Sequence, residues 1–396
     1  MTMKRIILGI LACVALVLVG GGVYFFSVYK TVSIPKTGEL PQDNIPLTLP
    51  SGYHISLFAE HVSGARVIVF DPKGVMLVSQ PSEGRIVALP DMNSDGRADE
   101  QIVVASGLDN PHGLAFKQDG DVWKLYVGEQ SALSVFVYNP ETKKAVNRKV
   151  LLTLPSDGGH FTRTLLFLPA PQENTLLVSV GSSCNVCLEK NDMRASVIAY
   201  NVQTGVNEQY AKGLRNSVFM QLHPISGDVY ATEMGRDGLG DDIPPDEINL
   251  LKKGKNYGWP MCYGKNIHDT SFDKNTYFRN PCMEPFETES LIDLQAHSAP
   301  LGLAFIPEEG WDENDWFDMV VAYHGSWNRS VPTGYKLVKF PYLGNGKYGE
   351  PEDFITGFLQ KDGKKIGRPV DVKIFPGGLM YISDDLASVI YRVTKQ

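Results

Sequence analysis

The feature that most limits what this chain can fold into is an internal repeat: an alternating apolar strand, a turn carrying Pro or Gly, and a second apolar strand, met six times. The first copy covers residues 65–79, with Phe70-Asp71-Pro72-Lys73-Gly74 as its turn, and the second covers 111–128, opening on Pro111-His112-Gly113. The third spans 162–180, the fourth 216–232 from Asn216, the fifth 299–307, and the last leads from Arg368 through Pro369 to Ser383. Period-2 alternation punctuated by Gly and Pro marks strand, turn and strand. Copies about fifty to eighty residues apart leave room for four strands each, the size of a propeller blade. The expected fold is therefore all-β, a six-bladed β-propeller over residues 51–396, with a sandwich or barrel as the alternative. The 38 glycines and 25 prolines agree with many tight turns. The widest interval between copies, residues 237–295, is rich in Gly, Asn, Pro and aromatic residues, and an elaborated functional loop is expected there.

A transmembrane or signal segment is expected ahead of the propeller. Lys4 and Arg5 are followed by an uncharged, mostly apolar run from Ile6 to Phe26, then Lys30. A signal-peptide core is ~7–15 residues and a spanning helix ~20. The run is long enough to span, and no A-x-A-like site follows it. An anchor over residues 1–30, basic end inside, and a linker over 31–50 are expected. A cleaved signal and lipid attachment at Cys13 are the alternatives. Four cysteines fall in the domain, Cys184, Cys187, Cys262 and Cys282. Local pairing, Cys184 with Cys187 and Cys262 with Cys282, fits an exported, periplasmic domain; a four-cysteine zinc site is the other reading. A net charge of -8 speaks against nucleic acid as a partner.

The densest polar cluster reads Gly213-Leu214-Arg215-Asn216, Glu233-Met234-Gly235-Arg236-Asp237, Asp246-Glu247-Ile248-Asn249-Leu250, and Asn256-Tyr257-Gly258-Trp259-Pro260. In this order and spacing the stretches resemble the soluble quinoprotein glucose, aldose and sorbosone dehydrogenases, over roughly residues 49–395. The resemblance implies a six-bladed propeller with pyrroloquinoline quinone (PQQ) and Ca²⁺, oxidising an aldose or sorbosone-like sugar to lactone or acid. It also implies His160, after Gly158-Gly159, as the general base that takes the hydroxyl proton while hydride passes to the quinone. Arg215 joins it in catalysis. Asn216, Asp246, Arg368 and His297 are expected at the cofactor, and the carbonyls of Gly235 and Arg236 at the metal, since a hard cation prefers oxygen. Two positions depart from the family pattern: Arg236 stands where proline is usual and Val370 where a second arginine is usual.

A separate stretch, residues 91–99, sets oxygen-bearing side chains at alternate positions with glycine at the sixth. It reads as a calcium loop with Asp91, Asn93, Asp95 and Asp99 as ligands and Arg97 offering a carbonyl, the alternative being a plain turn. His324, Trp327 and Asn328 at the end of the fifth copy are further polar or aromatic candidates, while Trp259, Trp327 and Tyr263 fit packing equally well. Leu188 follows Cys187, so no haem attachment motif is present and an external electron acceptor, a cytochrome or the quinone pool, is expected. The rival functions are a Ca²⁺-dependent lactonase, which needs several carboxylates facing the channel, and a non-catalytic binding propeller.

Overall fold

The computed structural model describes residues 45–395. Six four-stranded antiparallel sheets follow one another along the chain. Their innermost strands are Ile68–Phe70, Leu114–Asp119, Leu165–Phe167, Ser217–Leu222, Pro300–Phe305 and Pro369–Phe375, and each touches the next around a closed ring. Each of the six sequence copies supplies the innermost strand of one blade. The sixth blade is completed by the other end of the domain: Tyr53–Ala59 pairs with Val389–Lys395 as its outermost strand, so the ring is closed by hydrogen bonds between chain ends.

Second strands such as Met76–Gln80 and Val229–Glu233 are buried along their whole length, because a blade is covered on both faces by its neighbours. The core is accordingly divided into six apolar clusters, one per blade–blade interface. Val370 is fully buried in one of these, so the position where the family pattern has an arginine belongs here to the core. Among the described residues there is no α-helix, only the two short 3₁₀ turns Pro81–Glu83 and Glu313–Asp315.

The interval 237–295 is not one long loop. It contains the third strand of the fourth blade, Asp246–Leu251, and its fourth, Ile292–Leu294. The excursion between them carries the small hairpin of Cys262–Tyr263 and Ile267–His268 and is stapled by the Cys262–Cys282 disulfide. Cys184 is bonded to Cys187, which sets the zinc alternative aside. The expected anchor and most of the linker lie outside the described residues. Among the described ones, no helix is long and apolar enough to cross a membrane.

Candidate active site

Propeller inner strands begin at one end of the central channel, and the residues just before them converge there. His160, Arg215, Asn216, Ala299 and Arg368 all stand one to five residues ahead of such a strand, and all line one cavity of about 230 Å³. Loops from the fourth and fifth blades complete it with Gly235, Asp237, Asp246, His297, His324, Trp327 and Asn328.

His160 is held from one side. Its Nδ1 lies 2.9 Å from the Ser182 carbonyl oxygen and 3.0 Å from Ser182 Oγ, whose own hydrogen goes to the Cys184 carbonyl at 2.6 Å. A carbonyl can only accept, so the proton sits on Nδ1 and Nε2 carries the free lone pair. Burial first, then the Arg215 charge, hold the imidazole down to about 4, neutral across the physiological range. The fit is close: a Cβ on Gly181 would stand 2.6 Å from His160 Cβ and 2.7 Å from Asn216 Oδ1, so only glycine leaves room.

Arg215 is tied down by Nε to the Asn185 carbonyl at 2.9 Å and by Nη2 to Asn185 Oδ1 at 3.0 Å. Longer contacts reach the Met234 carbonyl and Asp237, both at 3.3 Å. It gives the cavity a fixed positive wall. Asn216 is placed by its backbone N–H, donated to buried Glu233 at 2.7 Å. Arg368 donates Nε to the His324 carbonyl at 3.0 Å and Nη2 to the Gly325 carbonyl at 2.7 Å, and lies over the Tyr335 ring. It makes no ion pair with a carboxylate among the described residues, so its charge is available to an anion.

Asp246 lines the cavity but spends both oxygens on backbone, accepting from Gly235 N and Ala299 N at 2.9 Å each. Burial pushes its carboxyl up to about 7 against those two bonds. The side chain thereby fixes the Gly235 loop. The carbonyls of Gly235 and Arg236 accept no hydrogen bond among the described residues, while the Arg236 side chain turns away into a buried pair with Asp269, Nη2 to Oδ1 at 3.1 Å. His297 is spoken for at both nitrogens, Nε2 by the Gly240 carbonyl at 2.9 Å and Nδ1 by Asn328 Nδ2 at 3.2 Å. Of the undecided aromatics, Trp327 is 77% exposed and lines the cavity, whereas Trp259 and Tyr263 are half-buried beside it.

Asp91, Asn93, Asp95 and Asp99 are brought together, but away from the cavity, in the turn between strands Arg85–Leu89 and Ile102–Ser106 of the first blade. Their oxygens cap the turn's own amides, Asp95 N to Asn93 Oδ1 at 2.9 Å and Gly96 N to Asp91 Oδ2 at 2.9 Å.

The TrAA12-like family model matches residues 47–396, nearly the whole of the described fold. The chain belongs to the TrAA12-like family. An uncharacterised protein of Borreliella burgdorferi is 29% identical over 93% of this chain and 97% of that one. A pyrroloquinoline quinone-dependent pyranose dehydrogenase of Coprinopsis cinerea is 25% identical over 90% of this chain, which spans only 55% of the fungal protein. Among solved structures, a Trichoderma reesei Carbohydrate-Active Enzymes Family AA12 protein superposes with a TM-score of 0.76 at 23% identity, covering 91% of this chain and all of that one. The holo form of the Coprinopsis cinerea pyranose dehydrogenase PQQ domain gives 0.74 at 21%, covering 90% and 98%. At those identities the likeness concerns the fold.

Two networks of this TrAA12-like chain escape sequence reasoning. His324 Nε2 lies 2.9 Å from Asp385 Oδ1, and Asp385 Oδ2 in turn accepts from Arg66 at 2.9 Å. Arg163 and Arg194 bind main-chain carbonyls beneath His160. One signal for Arg163 was present: it stands two residues before its blade's inner strand, as Arg215 does.

Proposed function

We propose that this chain is an oxidoreductase that oxidises an aldose or sorbosone-like sugar to its lactone or acid, with pyrroloquinoline quinone as the acceptor. The observation that carries the reading is His160. Its Nδ1–H is committed to the Ser182 carbonyl, and its Nε2, without a hydrogen bond among the described residues, belongs to a cavity also lined by Arg368, which has no ion pair with a carboxylate among those residues. When bound, the quinone supplies a carbonyl that takes up the hydride and its electron pair. The residues of the chain do the rest: Nε2 of His160 accepts the proton of the sugar hydroxyl as its C–H bond gives up hydride, leaving a carbonyl.

The donor set fits an anionic cofactor. Arg368 offers a guanidinium to carboxylates, Arg215 a fixed positive wall, and Asn216 a carboxamide at the cavity edge. The adjacent, uncommitted carbonyls of Gly235 and Arg236, braced by Asp246, suit Ca²⁺, which takes oxygen ligands. A second, structural Ca²⁺ is proposed at Asp91, Asn93, Asp95 and Asp99. His297, fixed at both nitrogens, shapes the cavity wall beside Trp327, whose exposed indole offers the sugar a flat apolar face.

Two disulfides belong to an oxidising compartment, so we place the enzyme outside the cytoplasm, held to the membrane by its N-terminal segment and passing electrons to an external acceptor. The test is direct. The purified chain is loaded with the quinone and Ca²⁺ and assayed for dye reduction against a panel of sugars. Turnover that depends on both additions is expected. Quinone binding without turnover on any sugar would mark a binding propeller, and no quinone binding at all would end the proposal.

A further inference from the structure

We propose that Arg163 and Arg194 are positioning residues for His160: they grip its main-chain carbonyl and set a positive field behind the imidazole, which meets the cavity as a neutral proton acceptor. The inference rests on the reading of His160 as the base. Neither arginine lines the cavity.

Arg163 is fully buried and has no ion pair with a carboxylate among the described residues. Its Nη1 donates to the carbonyls of His160 at 3.0 Å and Thr162 at 2.8 Å, its Nη2 to that of Pro155 at 2.7 Å. Arg194 is buried beside it, donating Nη1 to the Gly181 carbonyl at 3.1 Å and, at 3.4 Å, to the same His160 oxygen. Among the described residues its one ion pair is with Asp157 at 3.2 Å, and that carboxylate is 86% exposed and well screened. A guanidinium buried with no carboxylate partner, as Arg163 is among the described residues, or with only a screened one, as Arg194 is, is costly, and an apolar side chain filling the same space would be neutral or stabilising. Two such groups on one carbonyl point to a use for their charge.

That use is set by what surrounds His160. Arg163, Arg194 and Arg215 face it on the protein side, opposed by the Ser182 carbonyl. The same cavity is lined by Arg368, His297 and His324, and by the carboxylates Asp237 and Asp246. Asp237 is occupied by Arg215 and Asn328, and Asp246 by two amides, so neither is free to favour an imidazolium. The three arginines act in one direction, with burial, against protonation.

The experiment uses the full-length chain without cofactor, labelled with ¹⁵N-histidine and titrated by NMR, the His160 signals being those lost in His160→Gln. Arg194→Gln should raise the His160 midpoint by about 0.5–1 pH unit, while Arg194→Lys, which keeps the charge, stays near the parent value. Arg163→Met should move it the same way where it folds; the Arg194 pair decides the matter where it does not. In the loaded enzyme the acid limb of kcat should follow the midpoint. An unmoved midpoint in folded Arg194→Gln, or equal shifts in Arg194→Gln and Arg194→Lys, overturns the proposal. Full activity in His160→Gln would instead overturn the base reading, with the NMR midpoints still reporting on the arginines.

Discussion

His160 and His324 line the same cavity, and burial holds both imidazoles down to about 4, yet they are wired in opposite senses. His160 gives its Nδ1–H to a neutral carbonyl and is backed by cations, so Nε2 is left as a lone pair with nothing to neutralise a proton it picks up. His324 gives Nε2–H to the carboxylate of Asp385, which Arg66 also grips. Burial alone would raise Asp385, but its bonds to His324 and Arg66 bring it down to about 2, and it stays ionised. The pair belongs to a staple: Arg66 leads into the first blade, His324 follows Met319–Tyr323 of the fifth, and Asp385 follows Leu379–Asp384 of the sixth. Two histidines at one cavity thus divide the work. One is left with a free ring nitrogen, the proposed base, the other joins blades, and the difference lies in the partner rather than in burial.

The largest effect should come from breaking the proposed base. His160→Gln keeps a hydrogen-bonding side chain but loses the base, and kcat of sugar oxidation should fall by about 10²–10⁴-fold with quinone binding retained. If activity survives, the two histidines do not divide as described. Asp385→Asn addresses the other side. It leaves half-buried Arg66 without its counter-charge, and stability in urea should drop by roughly 1–3 kcal/mol, with a much smaller change in kcat than in His160→Gln. A kcat loss as large as that of His160→Gln would make His324 part of the chemistry.

Only half of this contrast could be read in the sequence. Each blade announces itself through period-2 alternation, and His160 is flagged by two glycines ahead of a repeat unit and by the family motifs. Gly158 supplies φ +94°, and a Cβ there would stand 2.3 Å from the Ser183 carbonyl oxygen, so the motif has a steric reason. The staple was invisible because Arg66 and Asp385 are 319 residues apart and meet only after the ring closes. Asp246 illustrates a different gap. Its motif marks the place, but that both oxygens cap amides on two separate loops follows from three-dimensional proximity alone. Val370 shows the reverse: a departure that looks like a missing cofactor contact is an ordinary core residue in this fold.

The loops that hold the site and the scaffold differ in the same way. The Cys184–Cys187 disulfide spans the turn whose Ser182, Cys184 and Asn185 support His160 and Arg215, whereas Cys262–Cys282 staples the excursion of the fourth blade. Cys184→Ser with Cys187→Ser should lower kcat by about tenfold through misplacement of the base. Removing Cys262–Cys282 should instead cost about 3 kcal/mol of stability. Activity assays and urea melts on both double variants check the division, and a stability loss confined to the first pair would reverse it.

The smallest effect tests the one property the two histidines share. An unfolded histidine titrates near 6.5 and the folded ones near 4, so between those values the unfolded chain binds more protons than the native one. Stability from this source is present in full above about 6.5 and is lost as pH falls toward 4. The full shift is worth on the order of 2 kcal/mol per histidine after allowance for partial solvent access. His160→Gln and His324→Gln should therefore each flatten the stability slope between pH 6.5 and 4 by a similar amount, although only the first abolishes turnover. The check is urea denaturation across that window. A slope unchanged in His160→Gln would mean that its imidazole titrates in the native protein near 6.5, as in the unfolded chain, and that burial and the neighbouring arginines do not hold it neutral.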